Sequence, residues 1–190
     1  MKEADLLLEV KKKLPKKRYL HTLAVADTAE EIAIQQGYSR KKARLAALLH
    51  DYAKFISLTE LRNIAEIVID EWEIGKEELD IPHLLHAPVA AYLAKNQLAV
   101  DDYDVLEAIR YHTIGNPGMG KLAQIIFVAD FIEPNRNFVD LDIIKKELEK
   151  DIEKAIVLIC NYSIKYNIDK NRIIHPNTLN LRNAYLRRQH

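Results

Sequence analysis

The sequence predicts an all-α chain, and three observations carry that expectation. Glycine is scarce, at five residues in 190, and three of the five (Gly115, Gly118, Gly120) crowd into one segment. Apolar residues recur at helical spacing along nearly the whole length, whereas the two-residue alternation of a half-buried strand is hard to find. Cap and breaker residues fall at the ends of the apolar-periodic stretches. A first helix over about residues 3–13 ends before Pro15. The second runs over about 18–36 with Gly37 as its C-terminal cap. Ser39 caps a third helix reaching about Asp51. Ser57-Leu-Thr-Glu60 has the form of a capping box and opens a fourth to about Trp72. An acidic connector, about 75–80, leads into Ile81-Pro82-His83-Leu84-Leu85-His86-Ala87-Pro88, and Pro88 suits the first turn of a fifth helix to about 97. Asp101 or Asp102 caps a sixth that carries Glu107, Arg110 and His112. After a Gly-rich loop, a seventh helix over about 121–132 is stopped by Pro134. Amphipathic helices follow over about 140–150 and 151–166, and a last one over about 178–188 after His175-Pro176. A weak boundary near Arg136–Asp140 divides a core of about 18–136 from supporting helices of about 140–190, all within one domain spanning residues 1–190.

Composition excludes several classes. Lys+Arg and Asp+Glu balance at 28 each, so the net charge is zero, which argues against a nucleic-acid partner. The single cysteine, Cys160, lies in an apolar helical stretch and cannot form an internal disulfide, which fits a reducing cytoplasm. Met1-Lys2-Glu3-Ala4-Asp5 lacks the basic and apolar regions of a signal peptide. No stretch approaches the ~20 apolar residues of a membrane span.

The chemistry lies in histidines and aspartates set among hydrocarbon. His50-Asp51 closes the apolar run Leu45-Ala46-Ala47-Leu48-Leu49. His21 sits on a helix whose apolar face is expected to include Leu20, Ala24, Val25 and Ala29. His112 ends a helix with Val105, Ala108 and Ile109 on its apolar face. Asp130 interrupts Ile125-Ile126-Phe127-Val128-Ala129, and His86 precedes a helix start. A lone His-Asp pair is more often a hydrogen-bonded core pair than a ligand set. Buried unpaired charges are rare, however, and one shared cause explains these groups better than five separate ones. Neutral imidazole and carboxylate are both good metal ligands.

The order His21, His50-Asp51, His86, His112, Asp130 resembles the HD superfamily of metal-dependent phosphohydrolases in its binuclear form. More closely, Arg18-Tyr-Leu-His21-Thr, His50-Asp-Tyr-Ala-Lys54, Leu-Leu-His86-Ala-Pro, Ala-Ile-Arg-Tyr-His112-Thr and Phe-Val-Ala-Asp130-Phe-Ile-Glu-Pro-Asn-Arg136 are similar to the YqeK-type symmetrical dinucleoside tetraphosphatases of bacteria. The likeness covers about residues 18–136; His83 falls outside its pattern. The resemblance implies an HD-type helical bundle with extra C-terminal helices, and hydrolysis of Ap4A into two ADP by a metal-held hydroxide. Two divalent ions ~3.5–4 Å apart can activate a water and clamp phosphate oxygens. His21, His50, Asp51 and Asp130 are assigned to one ion, and Asp51, His86 and His112 to the other. The carboxylate of Asp51 can bridge both, which an imidazole with its single lone pair cannot. A thiolate-free set of this kind suits iron or manganese and accepts zinc, cobalt or nickel; the resemblance implies iron.

Asp51 and Lys54 are the catalytic candidates. Lys54, three residues on, shares the Asp51 face if the helix continues. Arg18, Lys54, Thr113, Asn135 and Arg136 are the candidates for holding substrate, with Arg136 able to grip phosphate bidentately. The loop Gly115-Asn116-Pro117-Gly118-Met119-Gly120 has no Gly-Lys-Ser/Thr and is no P-loop. The expected partner is a small dinucleoside polyphosphate, with ADP or a GDP-like nucleotide as product; a homodimer stays open. Two other readings stand beside this one: an HD phosphohydrolase of mononucleotides or a signalling nucleotide, and a metal-bound regulatory domain without catalysis.

Overall fold

Glycine-poor, cap-punctuated segments become helices throughout the computed structural model, which describes residues 3–136 and 141–188. Among the described residues the regular elements are eleven α-helices and one 3₁₀ turn. They are α1 (Glu3–Lys13), α2 (Lys16–Gln35), α3 (Arg40–Leu49), α4 (Leu58–Ile67), α5 (Lys76–Asp80), the 3₁₀ turn (Pro82–Leu84), α6 (His86–Leu98), α7 (Tyr103–Tyr111), α8 (Lys121–Ile132), α9 (Leu141–Leu148), α10 (Ile152–Asp169) and α11 (Pro176–Arg188). The caps act as their chemistry requires. Ser39, Ser57, Asp102 and Asp151 each accept a backbone N–H two or three residues on. Gly37 takes φ +62° just past α2, where a side chain would be strained.

Three expectations need correction. The acidic stretch 75–80 is helical as α5, because Glu78 is buried and held rather than solvated. Helix α4 ends at Ile67, and turns carry the chain to Trp72. On α2, Leu20 is 52% exposed. The buried stripe is instead His21, Val25, Ala29 and Ile32, at helical spacing. The boundary expected near Arg136–Asp140 falls largely outside the described residues.

Helix α8 is apolar on every side, with Leu122, Ala123, Ile125, Ile126, Phe127, Val128, Ala129 and Ile132 buried, and such a helix belongs at the centre. It packs against α2, α3, α7 and α10. Helix α3 also packs against α2, α6 and α7, and α6 against α7, so the ends that carry the candidate ligands converge. Helix α10 docks on α8, α9 and α11 and continues the same core through Ile156, Ile159, Leu181 and Tyr185. No helix among the described residues is long and apolar enough to cross a membrane.

Candidate metal centre

Each candidate ligand stands at a helix end or on a buried helix stripe. His21 is one turn into α2; His50 is the C-cap of α3, with Asp51 next; His86 opens α6; His112 is the C-cap of α7; Asp130 lies in the last turn of α8. His50, Asp51, His86 and His112 are at most 3% exposed and His21 8%. The Asp130 side chain, at 19%, is the one that opens outward.

The imidazoles are locked in one sense. His50 Nδ1 faces Ala47 O, His86 Nδ1 lies 2.6 Å from His83 O, and His112 Nδ1 lies 2.8 Å from Ile109 O. A ring nitrogen opposite a carbonyl must carry the proton, so in each neutral ring Nε2 keeps its lone pair. His21 Nδ1 is tied to Glu133 Oε1 at 3.0 Å. All four Nε2 atoms therefore turn inward, toward Asp51. There, Asp51 Oδ2 lies 3.3 Å from His50 Nε2 and 3.9 Å from His21 Nε2, while Oδ1 lies 3.2 Å from His86 Nε2 and 3.8 Å from His112 Nε2. One carboxylate thus presents one oxygen to each of two imidazole pairs. Asp130 Oδ1 completes the first set, 3.0 Å from His21 Nε2.

Two features fit this arrangement to a cation. His21 Nε2 and His50 Nε2 are buried and make no hydrogen bond among the described residues, a costly condition for a polar atom. His86 Nε2 and His112 Nε2 are 3.1 Å apart, and two lone pairs at that distance repel unless positive charge lies between them. Donor atoms of His21, His50 and Asp130 fall within 4.8 Å of one another, as do those of His50, Asp51 and His112. Burial drives His112 well below the usual histidine range and lowers His86, which favours in both the neutral ring that a metal ligand must be. His50 is raised: burial opposes its charge, but Asp51, helped by Asp130 and the Ala47 carbonyl, outweighs burial. The field that favours a proton on that ring favours a metal cation equally. Asp51 and Asp130 are held far below the carboxylate range, burial being overcome chiefly by His50 at the one and His21 at the other.

The expected substrate residues gather at this centre in different ways. Arg18 Nη1 donates to Asp51 Oδ2 at 2.8 Å, and Arg136 Nη2 to Asp130 Oδ1 at 2.9 Å. Lys54 stands 3.7 Å from Asp51 Oδ1 and 3.1 Å from His86 Nε2, its pKa lowered by burial. It gets there through a turn, its N–H bonding Asp51 O, and not through a continued α3. These three cations stay 27–30% exposed, one rank of positive charge along the mouth. Asn135 is turned the other way: its N–H and its Nδ2 both donate to Glu133 Oε2. Thr113 lines a neighbouring hollow.

Sequence reasoning missed that hollow. A cavity of about 740 Å³ runs between the 3₁₀ segment, Thr113, α10 and the approach to α11. A second, of about 390 Å³, shares His83, Ser163, Asn167 and Arg172 with it and reaches Asp130 and Arg136. Together they form a groove leading from Asp130 and Arg136 along α10. Its polar residues on an amphipathic helix look solvent-facing in sequence, and they gave no signal. Glu133 was also missed, although an acid directly after the apolar run of α8 raises the same burial question as Asp130.

The family described as HD domain matches residues 18–135. The chain is 41% identical over 179 residues to "Bis(5'-nucleosyl)-tetraphosphatase, symmetrical" of Bacillus subtilis strain 168, with 94% of each chain covered. It is 38% identical over 192 residues to the protein of that name in Halalkalibacterium halodurans, with 100% of each covered. A solved structure from Clostridium acetobutylicum, described as a predicted HD superfamily hydrolase involved in NAD metabolism, superposes with a TM-score of 0.93 at 36% identity, covering 99% of this chain and 98% of that one.

Proposed function

The chain belongs to the HD-domain family, and from that premise we propose that it is a metal-dependent phosphohydrolase that splits Ap4A symmetrically into two ADP. The observation that carries the reading is Asp51, which offers one oxygen to the His21–His50 side and the other to the His86–His112 side. This supports two divalent ions held by His21, His50, Asp51 and Asp130 on one side and by Asp51, His86 and His112 on the other. Ligands of this class suit iron, with manganese, cobalt, nickel or zinc as alternatives. Divalent ions held there would lower the pKa of a water and clamp phosphate oxygens.

The rest follows from the chain's own groups. Locked Nδ1 atoms keep the imidazoles from turning, so the ligand geometry is set before substrate arrives. Arg18, Lys54 and Arg136 line the mouth and reach phosphate oxygens as well as ligand carboxylates, which offsets the negative charge that builds during attack. Among the described residues, the groups around Asp51 are imidazoles, carboxylates and cations rather than a serine or cysteine nucleophile, which supports water as the attacking group. The groove along α10 takes one nucleoside, with Ser163, Asn167 and Arg172 on its wall to meet polar edges and phosphate, while the Thr113 hydroxyl is buried beside it. A cytoplasmic setting agrees with the buried free thiol of Cys160.

Hydrolysis in ¹⁸O-labelled water, followed by chromatography and mass spectrometry, tests the product pattern. The expected result is two ADP, one carrying label, with no early ATP or AMP. ATP plus AMP as primary products would refute central cleavage while leaving the metal site intact. Turnover confined to mononucleotides would refute the substrate.

A further inference from the structure

We propose that Glu133 is a positioning residue for the metal centre: it fixes the aim of His21 and sets a carboxylate behind its ring, and so governs how tightly the His21–His50–Asp130 side holds its ion. The inference rests on the metal reading above. Glu133 caps the C-terminus of α8, three residues after Asp130, with its side chain 2% exposed. Both its oxygens are engaged. Oε1 lies 3.0 Å from His21 Nδ1 and 3.7 Å from Arg136 Nε. Oε2 accepts the Asn135 N–H at 2.7 Å and Asn135 Nδ2 at 2.9 Å. A buried carboxylate is expensive unless it is met by donors, and three hydrogen bonds reach this one with the Arg136 guanidinium close by. Pro134, between Glu133 and Asn135, ends α8 and turns the chain back so that Asn135 and Arg136 meet Glu133.

The contrast among the four imidazoles gives Glu133 its meaning. His50, His86 and His112 each face a backbone carbonyl three residues upstream, a neutral acceptor that fixes the tautomer and little more. His21 faces a carboxylate. A charged acceptor on Nδ1 pushes electron density to Nε2 and makes that nitrogen a stronger ligand. His21 also comes from α2, whereas Asp130 and Glu133 come from α8, so the contact pins two helices at the centre itself. Glu133 does not ligate: it stands behind the ring, on the nitrogen away from Asp51 and Asp130.

The test is Mn²⁺ titration of the full chain, freed of metal by chelation, with free Mn²⁺ followed by its EPR signal. The proteins are the unsubstituted chain, Glu133→Gln, Asn135→Ala and His21→Ala. Glu133→Gln keeps the shape and removes the charge, and it is expected to weaken one class of sites by about tenfold or more. Asn135→Ala leaves the carboxylate and loosens it, so it should weaken the same class by less; it carries the test if Glu133→Gln does not fold. A Glu133→Gln protein that melts lower without metal yet binds Mn²⁺ like the unsubstituted chain would reduce Glu133 to a packing role and overturn the proposal. Unchanged affinity in Glu133→Gln beside weakened affinity in His21→Ala overturns it alone. No Mn²⁺ bound by the unsubstituted chain overturns the metal reading with it.

Discussion

At the scale of single residues, the centre depends on groups that are costly in isolation. Asp51 is 2% exposed, and four imidazoles and two cations surround it, so no substitution there is silent. Asp51→Ala or His50→Ala is expected to remove turnover and lower the bound metal, and to lower the melting temperature in metal-replete buffer. Elemental analysis and calorimetry check this, and normal metal content with normal turnover in both variants would contradict the assignment. The convergence of these groups was legible in the sequence because a histidine or aspartate beside Leu-Ala-Ala-Leu-Leu or Ile-Ile-Phe-Val-Ala is costly to bury alone. Leu20 was misplaced because an apolar neighbour need not share the buried face of a helix. Glu133 was overlooked because its partner His21 lies 112 residues away.

Among the elements, the shortest helix is the one most dependent on distant partners. Helix α5 has five residues and contributes one buried side chain, Glu78. Arg110 of α7 meets it bidentately, Nη1 to Oε1 and Nη2 to Oε2, both at 2.8 Å, and Arg110 Nε donates to Trp72 O. Arg110 and Glu78 are 2% and 1% exposed, so removing either partner strands a charge. Glu78→Gln or Arg110→Leu should each cost about 3–5 kcal/mol in urea unfolding, and replacing both by apolar residues should cost less than the sum. Additive losses would show that the two side chains act separately. The clamp holds the approach to the 3₁₀ turn whose His83 carbonyl fixes His86, so it also bears on the metal centre. No local pattern in Lys76-Glu77-Glu78-Leu79-Asp80 announces burial, which is why the stretch reads as a connector. Helices with a cap residue and an apolar stripe, such as α3, α7 and α10, were legible almost to their ends.

For the whole molecule, the candidate ligands come from five helix regions between His21 and Asp130, and an ion held at their centre would tie those regions together. An ion that binds only the folded chain adds stability of about 2.7 kcal/mol at a concentration 100 times its dissociation constant. For a chain of this size that is roughly 5–11 °C in melting temperature per ion. Scanning calorimetry before and after chelation, with Mn²⁺ added back, should show that difference and its recovery. A melting temperature indifferent to chelation would mean that the donor groups hold no ion. The all-helical architecture was legible as a whole; the groove was not, because it forms only where α10 and the approach to α11 pass beside a site built more than thirty residues earlier.

That last placement has a consequence for how such a protein can change. The groups assigned to hydrolysis end at Arg136, whereas Ser163, Asn167 and Arg172, on the wall of the groove, come from a later stretch that supplies none of the ligands. On the proposed reading, hydrolysis draws on the chain up to Arg136, while one wall of the groove is supplied from beyond it. If the groove receives a nucleoside, substitutions along one flank of α10 would alter which one is accepted while the candidate ligands stay constant, so a lineage, or a designer, could shift preference stepwise.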